Sequence, residues 1–209
     1  MSRPHRASVF AMLAAVLAGC GGAATPSPPP AARLSGGQCL AALAGRGVDF
    51  EKIDDFGSGG GCGVAAAVEL RQSTAGLNQM ATLDCRLALT LNDYERRVVQ
   101  PASQRFFGQQ VARIHHFGAY ACRGRSGAGG RLSEHAKGRA IDIAGFELAD
   151  GTVVWVEHHW RGGGDRSRFL RTVSRGACDL FQVVLSPNHD ADHHDHLHLD
   201  IGPWRLCDP

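Results

Sequence analysis

The chain lacks several features that would place it in a common class of protein. Its N-terminal apolar run, residues 9–17, is far shorter than the about 20 residues that a transmembrane helix needs. The net charge is only +2, and no basic run is interleaved with aromatics, so nothing in the composition favours nucleic-acid binding. No cysteines have the C-x-x-C spacing of zinc sites, and the glycine-rich run 57–61 lacks the Lys-Ser/Thr of a phosphate loop.

The first residues predict export. Arg3 and Arg6 precede the apolar run and a set of small residues, which is the order found in a secretory signal, here residues 1–19. The end of this segment, Leu17-Ala18-Gly19-Cys20, resembles the lipobox of bacterial lipoproteins, in which the cysteine is lipidated and becomes the new N-terminus. The alternative is an ordinary cleaved signal with a chance cysteine. Since Gly21 follows instead of aspartate, we expect an outer-membrane lipoprotein in the periplasm, with the membrane as a partner through the lipid anchor on Cys20.

A tether and one folded domain follow this signal. Residues 20–36 are rich in proline, and proline without packing partners adopts an extended, semi-rigid conformation. The chain has 209 residues, of which 44% are apolar and 20% charged, enough for one sizeable core. We therefore predict a single domain over residues 37–209.

Cysteine usage agrees with an oxidising compartment. Seven cysteines less the lipidated Cys20 leave an even number, which predicts three disulfides. Six cysteines allow 15 connectivities. Short loops favour the pairs Cys39 with Cys62, Cys178 with Cys207, and Cys85 with Cys122.

The apolar patterns predict an α+β domain with a central antiparallel sheet flanked by helices. Asp-Gly at 150–151 between two apolar runs is a strong hairpin signal. Pro101 is expected to end the main helix. Helices are expected over residues 37–47, 83–99, 106–110 and 169–177, and strands over residues 64–70, 111–117, 140–146, 152–156, 180–185 and 196–201.

The segment 133–143, together with 195–200, predicts a metal site. His135 and Asp142 are seven residues apart, and Gly138 between them allows a tight turn that brings both to one cation. Alternation on the last strand places His196 and His198, with Asp200, on one polar face. Two histidines and a carboxylate suit zinc, whose fourth position is then open for a water of lowered pKa.

Other polar side chains have competing interpretations. Asp195 lies where its carboxylate could act as the general base, or it could simply cap the loop. His115 and His116 point to opposite faces of a strand, and we interpret both as structural. The histidines at 189, 193 and 194 are interpreted as a solvated loop, with a second, loosely held metal as the alternative.

These residues resemble known families. The pattern Ser133-x-His135-x-x-Gly138-x-Ala140-x-Asp142 with His196-x-His198 is similar to the zinc signature of D-Ala-D-Ala carboxypeptidases, peptidoglycan endopeptidases and the Hedgehog signalling domain. Tyr120-Ala121-Cys122-Arg123, together with 132–136, 142–146 and 195–200, more narrowly resembles the extensin-like C-terminal domain, over about residues 39–207.

The resemblance implies a D-Ala-D-Ala peptidase or Hedgehog-like fold with zinc held by His135, Asp142 and His198. It further implies that His196 is an auxiliary base or transition-state donor. Arg123 would bind a substrate carboxylate or oxyanion, and Ser133 would hydrogen-bond the substrate. Many relatives carry glutamate where this chain has Asp195, whose side chain is one methylene shorter.

Three functional hypotheses follow. The first is a zinc peptidase acting on peptidoglycan peptides as a carboxypeptidase or endopeptidase. The second is a zinc-containing module that binds cell-wall peptide without cleaving it, which the aspartate at 195 favours. The third is periplasmic metal buffering by the histidine-rich loop, which predicts more than one zinc per chain.

Overall fold

The computed structural model describes Met1, Ala31 and residues 34–125 and 130–209. This part of the chain forms an α+β domain with one mixed sheet of nine strands and a separate two-stranded sheet. The expected signal segment, the lipobox cysteine Cys20 and most of the proline-rich tether lie outside these residues. Within them, no helix combines the length and apolarity needed to span a bilayer.

The nine-stranded sheet is mixed because it contains two parallel pairs. The strands are β1 Asp49–Lys52, β2 Phe56–Gly57, β3 Gly63–Val64, β4 Ala67–Gln72, β5 Gly76–Asp84, β6 Val111–Gly118, β7 Ala140–Leu148, β8 Val153–Trp155, β9 Val183–Leu185, β10 Leu197–Asp200 and β11 Leu206–Asp208. Their order is β1-β4-β5-β6-β7-β10-β9-β11, with β8 paired to β7, and β2 pairs with β3. The pairs β5–β6 and β9–β11 run parallel, which corrects the expected antiparallel sheet.

Helices cover the sheet and supply much of the core. They are α1 Gly36–Ala44, α2 Cys85–Tyr94, α3 Gln100–Phe107, α4 Val156–His159 and α5 Gly164–Ala177. α1 begins with a capping box, in which Ser35 accepts from the Gln38 amide. The large side chains of Tyr94, Phe146, Trp160 and Phe169 are fully buried, so helices and sheet share one core.

The central helical region differs from the prediction at both ends. Leu83 and Asp84 belong to β5, and Asp84 caps α2 by accepting the Arg86 amide. Pro101 does not end the helix. A π-helical turn over Glu95–Val99, in which the Gln100 N–H donates to the Glu95 carbonyl, precedes Pro101 in the first turn of α3. A π turn is one of the ways in which a continuous helix accommodates an interruption of its i→i−4 hydrogen bonds, and proline, which lacks an N–H, is such an interruption.

Other helices and strands also differ from the predicted bounds. The short helix expected over residues 106–110 is wrong, since residues 106–107 are the last turn of α3, which ends at Gly108 in the left-handed conformation. The strands β1 and β5 were not predicted, because neither sequence alternates clearly between apolar and polar residues. The hairpin of β7 and β8 is confirmed, as are the strand after residue 111 and the helix around residues 169–177.

Three disulfides form, but two of the expected pairs are wrong. Cys178–Cys207 is confirmed. Cys39 of α1 bonds Cys85 at the start of α2, because these helices pack together and bury both sulfur atoms. Cys62 beside β3 bonds Cys122 after β6. Loop length is a poor guide here, because packing between elements decides which cysteines meet.

Candidate metal centre

Two adjacent strands in the middle of the sheet carry two of the predicted ligands. β7 lies between β6 and β10, and every residue of β7 except Glu147 is buried. His198 of β10 is paired directly with Asp142 of β7. Side chains directly opposite each other on antiparallel strands lie on the same face, so the imidazole and the carboxylate meet.

A single 3-10 turn, Glu134–Lys137, positions the third predicted ligand, His135. Ser133 begins the turn by accepting the His135 amide, at 3.4 Å. Gly138 ends it with a φ of 60°, and a Cβ there would lie 2.9 Å from Val64 and 3.0 Å from the Asp84 nitrogen. Only glycine fits this conformation and this contact without strain.

The three side chains each bring one atom to a common point. Nε2 of His135 lies 3.2 Å from Oδ1 of Asp142 and 3.2 Å from Nδ1 of His198. The same Oδ1 and Nδ1 atoms are 2.9 Å apart. A tetrahedral zinc ion with bonds of about 2.0–2.1 Å holds its ligand atoms about 3.3 Å apart, so the donor set fits zinc closely.

Hydrogen bonds behind the ligands fix which nitrogen of each imidazole faces the centre. Nδ1–H of His135 donates to the Ala119 carbonyl at 2.6 Å. Nε2 of the same ring is therefore unprotonated, and its lone pair faces the centre. Nε2–H of His198 donates to Asp200 at 3.3 Å, which turns Nδ1 inward. A carbonyl or carboxylate behind each histidine is the usual support of a metal-binding imidazole.

The electrostatics of the group favour a cation at its centre. Burial opposes the charged form of Asp142, but hydrogen bonds with His135 and His198 outweigh it and hold the pKa of this carboxyl well below its usual range. Burial likewise opposes protonation of His198, yet Asp142 and Asp200 raise its pKa to about 9. The short contact between Nδ1 of His198 and Oδ1 of Asp142 therefore needs a proton or a metal ion between the two atoms.

The predicted catalytic pair lies beside this group. Nδ1–H of His196 donates to Asp195 at 2.8 Å, and Nε2 of the same ring lies 3.6 Å from Oδ1 of Asp142. The exposed ring of Phe117 packs edge-on against His196, with centroids 5.8 Å apart. Asp195 thus contacts His196 rather than the three ligand atoms, and it orients the imidazole toward the centre.

The two predicted substrate-binding residues have different surroundings. Arg123 lies at the rim, where half of its side chain is exposed and Nη2 is 3.8 Å from Oδ2 of Asp142. Ser133 is buried, and its hydroxyl caps the turn that carries His135. Arg123 is therefore free to contact a bound molecule, whereas Ser133 has a structural role in the turn.

The two histidines of β6 lie outside the candidate ligand group. His115 contacts Glu147 at 2.9 Å, and His116 is buried and donates to the Gln79 carbonyl at 3.0 Å. Burial lowers the pKa of His116, which keeps its ring neutral. Neither lies in the ligand group, in agreement with the structural interpretation.

The histidine-rich loop reaches the centre at one point. His193 packs against His196 and His198, with ring centroids 5.2 and 5.8 Å away, and Nδ1–H of His193 donates to Asp190 at 2.6 Å. In the described part of the chain, the one group of three potential ligand atoms within 4.8 Å of one another is His135, Asp142 and His198. The structure therefore gives no support for a second metal in the loop.

Sequence reasoning assigned no role to two groups that the site depends on. Asp200 was placed on the polar face, but its contact with His198 depends on rotamers that a sequence pattern does not show. The Ala119 carbonyl gives no sequence signal at all, because every residue has a carbonyl group.

A comparison with known proteins identifies the family. The family model described as extensin-like protein C-terminus matches residues 37–208. No curated protein and no solved structure matches the chain. The match includes all three residues of the candidate metal centre and all six disulfide cysteines, and the chain therefore belongs to the extensin-like protein C-terminus family.

Proposed function

We propose that the protein is a zinc-dependent peptidase of the cell wall that acts on peptidoglycan peptides. The observation that carries the proposal is the convergence of His135, Asp142 and His198, whose three donor atoms lie 2.9–3.2 Å apart. The support behind both histidines is that of a metal site, and the three-ligand set leaves one position open. Zinc in this position would supply a Lewis acid for a peptide carbonyl and lower the pKa of water.

The residues around the centre suit peptide hydrolysis. His196 is positioned to hold and transfer a proton at Nε2, because Asp195 accepts from Nδ1–H and so leaves the inward nitrogen as the base. Arg123 at the rim offers a charged fork of N–H groups that matches a peptide carboxylate. Both assignments agree with the roles implied by resemblance to D-Ala-D-Ala peptidases, whose fold, shared with Hedgehog, we propose for this domain.

The proposed place of action is the periplasmic face of the outer membrane. It depends on the lipobox at Leu17-Ala18-Gly19-Cys20, and the three disulfides support an oxidising compartment. A lipid anchor with a proline-rich tether would hold the domain within reach of the cell wall.

Metal content tests the first step of this proposal. The purified full chain is expected to contain one zinc per chain by elemental analysis. His135→Ala is expected to abolish this binding, while His158→Ala, which removes an exposed histidine, leaves it unchanged. Zinc content that is equal in the two variants would contradict the assigned ligands.

Cleavage of muropeptides tests the second step. The zinc-loaded chain is expected to release a D-amino acid or split a cross-link, as seen by mass spectrometry, and His196→Ala is expected to lower the rate by about 10²–10⁴-fold with zinc retained. No product above that of His135→Ala would overturn the peptidase assignment.

A second candidate function is a zinc-containing module that binds cell-wall peptide without cleaving it. The pairing of Asp195 with His196 favours it, because the carboxylate is one methylene shorter than the glutamate of many relatives and contacts a histidine rather than the ligand group. Retention of the chain on purified sacculi without peptide release would support this function over the peptidase.

A further inference from the structure

An open surface cavity lies beside the turn that carries His135. It has a volume of about 410 Å³ and is lined by the β2–β3 hairpin, the junction of β5 and α2, and the chain around the 3-10 turn. Lys137 and Arg139, two and four residues after His135, line it. None of the three candidate metal ligands lines this cavity.

Three basic side chains share the cavity. Lys137 is exposed and forms no ion pair with any of the described residues. Arg86 uses Nε–H to donate to Asp84 at 3.1 Å. Arg139 pairs through Nη2 with Glu134 at 2.8 Å, while its buried Nε has no hydrogen-bond partner in the described chain. The basic groups therefore keep N–H donors that their acidic neighbours do not use.

The two carboxylates in the cavity lining already have partners. Asp84 accepts from the amide and side chain of Arg86, and so caps α2. Asp55 accepts from the Ala67 amide at 3.1 Å. Asp84 is paired with Arg86, and among the described residues neither carboxylate forms an ion pair with Lys137. Cations that share one cavity repel each other, and a bound anion relieves that repulsion.

One wall of the cavity is apolar. The ring of Phe56 is exposed and packs edge-on against Tyr120, with centroids 5.0 Å apart. An aromatic wall beside basic groups suits a small anion that also carries an apolar or planar part. It fits a free metal ion poorly, because ammonium and guanidinium groups repel cations.

We propose that this cavity, lined by Arg86, Lys137, Arg139 and Phe56, binds a small anionic group, a carboxylate or a phosphate. The site goes beyond the peptidase assignment and does not depend on it, because its donors belong to side chains outside the metal centre. A ligand there contacts Lys137, which belongs to the turn that carries His135.

Two titrations of the ¹⁵N-labelled full chain in phosphate-free buffer test the proposal, one with inorganic phosphate and one with N-acetylglycine. At least one probe is expected to cause saturable shifts of the Gly57, Gly61 and Gly63 amides, which line the cavity. Tighter binding of phosphate indicates a phosphorylated ligand, and tighter binding of N-acetylglycine indicates a peptide or acid carboxylate.

Variants separate this cavity from general charge effects. Lys137→Gln is expected to weaken binding by about fivefold. Arg97→Gln removes the same charge from an exposed residue outside the cavity, and is expected to leave the affinity unchanged. Affinity is also expected to be equal in zinc-loaded and zinc-depleted protein.

Three results would overturn the proposal. They are a lack of saturation with either probe, equal weakening in the two variants, and binding that disappears when zinc is removed. Zinc content and peptide cleavage are measured separately, so a failure here is distinguishable from a failure of the peptidase assignment.

Discussion

At the scale of single residues, the site depends on a glycine as much as on its ligands. Gly138 and Gly108 both adopt the left-handed conformation, with φ of 60° and 69°, but open space surrounds only Gly108. Gly108→Ala is expected to lower the free energy of unfolding by about 1 kcal/mol from backbone strain alone. Gly138→Ala is expected to cost about 1–3 kcal/mol more, because the added methyl group meets Val64 and the Asp84 backbone.

Chemical denaturation of the two glycine variants measures this difference. Gly138→Ala is also expected to reduce zinc binding, since the turn that positions His135 must shift. Equal losses of unfolding free energy in the two variants would show that contact of the added methyl group with Val64 does not contribute to the cost of Gly138→Ala.

The carboxylate behind His198 gives a second residue-scale prediction. Asp200→Asn keeps an oxygen for the Gly202 amide but loses the charge that accepts Nε2–H of His198. Metal affinity is expected to fall by about 10–100-fold in competition with a chromophoric chelator. Asp179→Asn, at an exposed position, serves as the matched control, and an equal loss there would rule out the proposed support.

The sequence predicts which three side chains converge better than it predicts the groups behind them. His135, Asp142 and His198 have distinctive side chains at a recognisable spacing, so the pattern brings them together without knowledge of the fold. The supporting contacts from Ala119, Asp200 and the pair Asp195 and His196 depend on rotamers and on loop paths. These are set by packing between segments that are distant along the chain.

At the scale of elements, the π turn between α2 and α3 buries a carboxyl group. Burial raises the pKa of Glu95 to about 7, more than its hydrogen bonds with the turn at residues 73–75 lower it. The folded state therefore holds the proton of the Glu95 carboxyl more tightly than the unfolded state does. The stability that this proton contributes is complete below pH 4.5 and is lost as the pH rises through about 7. The total change is about 3 kcal/mol.

Glu95→Gln is expected to remove this part of the pH dependence. Urea unfolding between pH 4.5 and 7.5 gives the free energy of unfolding of the wild type and the variant at each pH, and the difference between the two pH profiles measures this contribution. Glu157→Gln, on an exposed side chain, is expected to leave the wild-type slope intact. If the pH profile of Glu95→Gln ran parallel to that of the wild type, the Glu95 carboxyl would not titrate between pH 4.5 and 7.5.

The same helical region shows why element boundaries and disulfides were mispredicted. A proline after an apolar period predicts a helix end, but here the helix continues past Pro101 by way of a π turn. Cys39 and Cys85 pair because α1 packs on α2, a contact between elements that loop length does not report.

At the scale of the whole molecule, the proposed lipid anchor on Cys20 gives a prediction about location. Cys20→Ser is expected to move the protein from the membrane fraction to the soluble periplasmic fraction, because the acyl chains that would hold it are lost. Fractionation with immunoblotting measures this, and Gly22→Ser, which keeps the cysteine, is the control. A variant that stays with the membrane would mean that something other than a lipid on Cys20 holds it there.

The last strand links the end of the chain to the histidine-rich loop. β11 pairs with β9 over three residues, Cys207 ties it to Cys178, and Asp208 accepts from Nδ1–H of His189 at 2.8 Å. β9 in turn borders β10, which carries His198. The residues of β11 therefore hold β9, and through it β10, in place, so removal of β11 is expected to displace His198 and weaken the candidate metal centre.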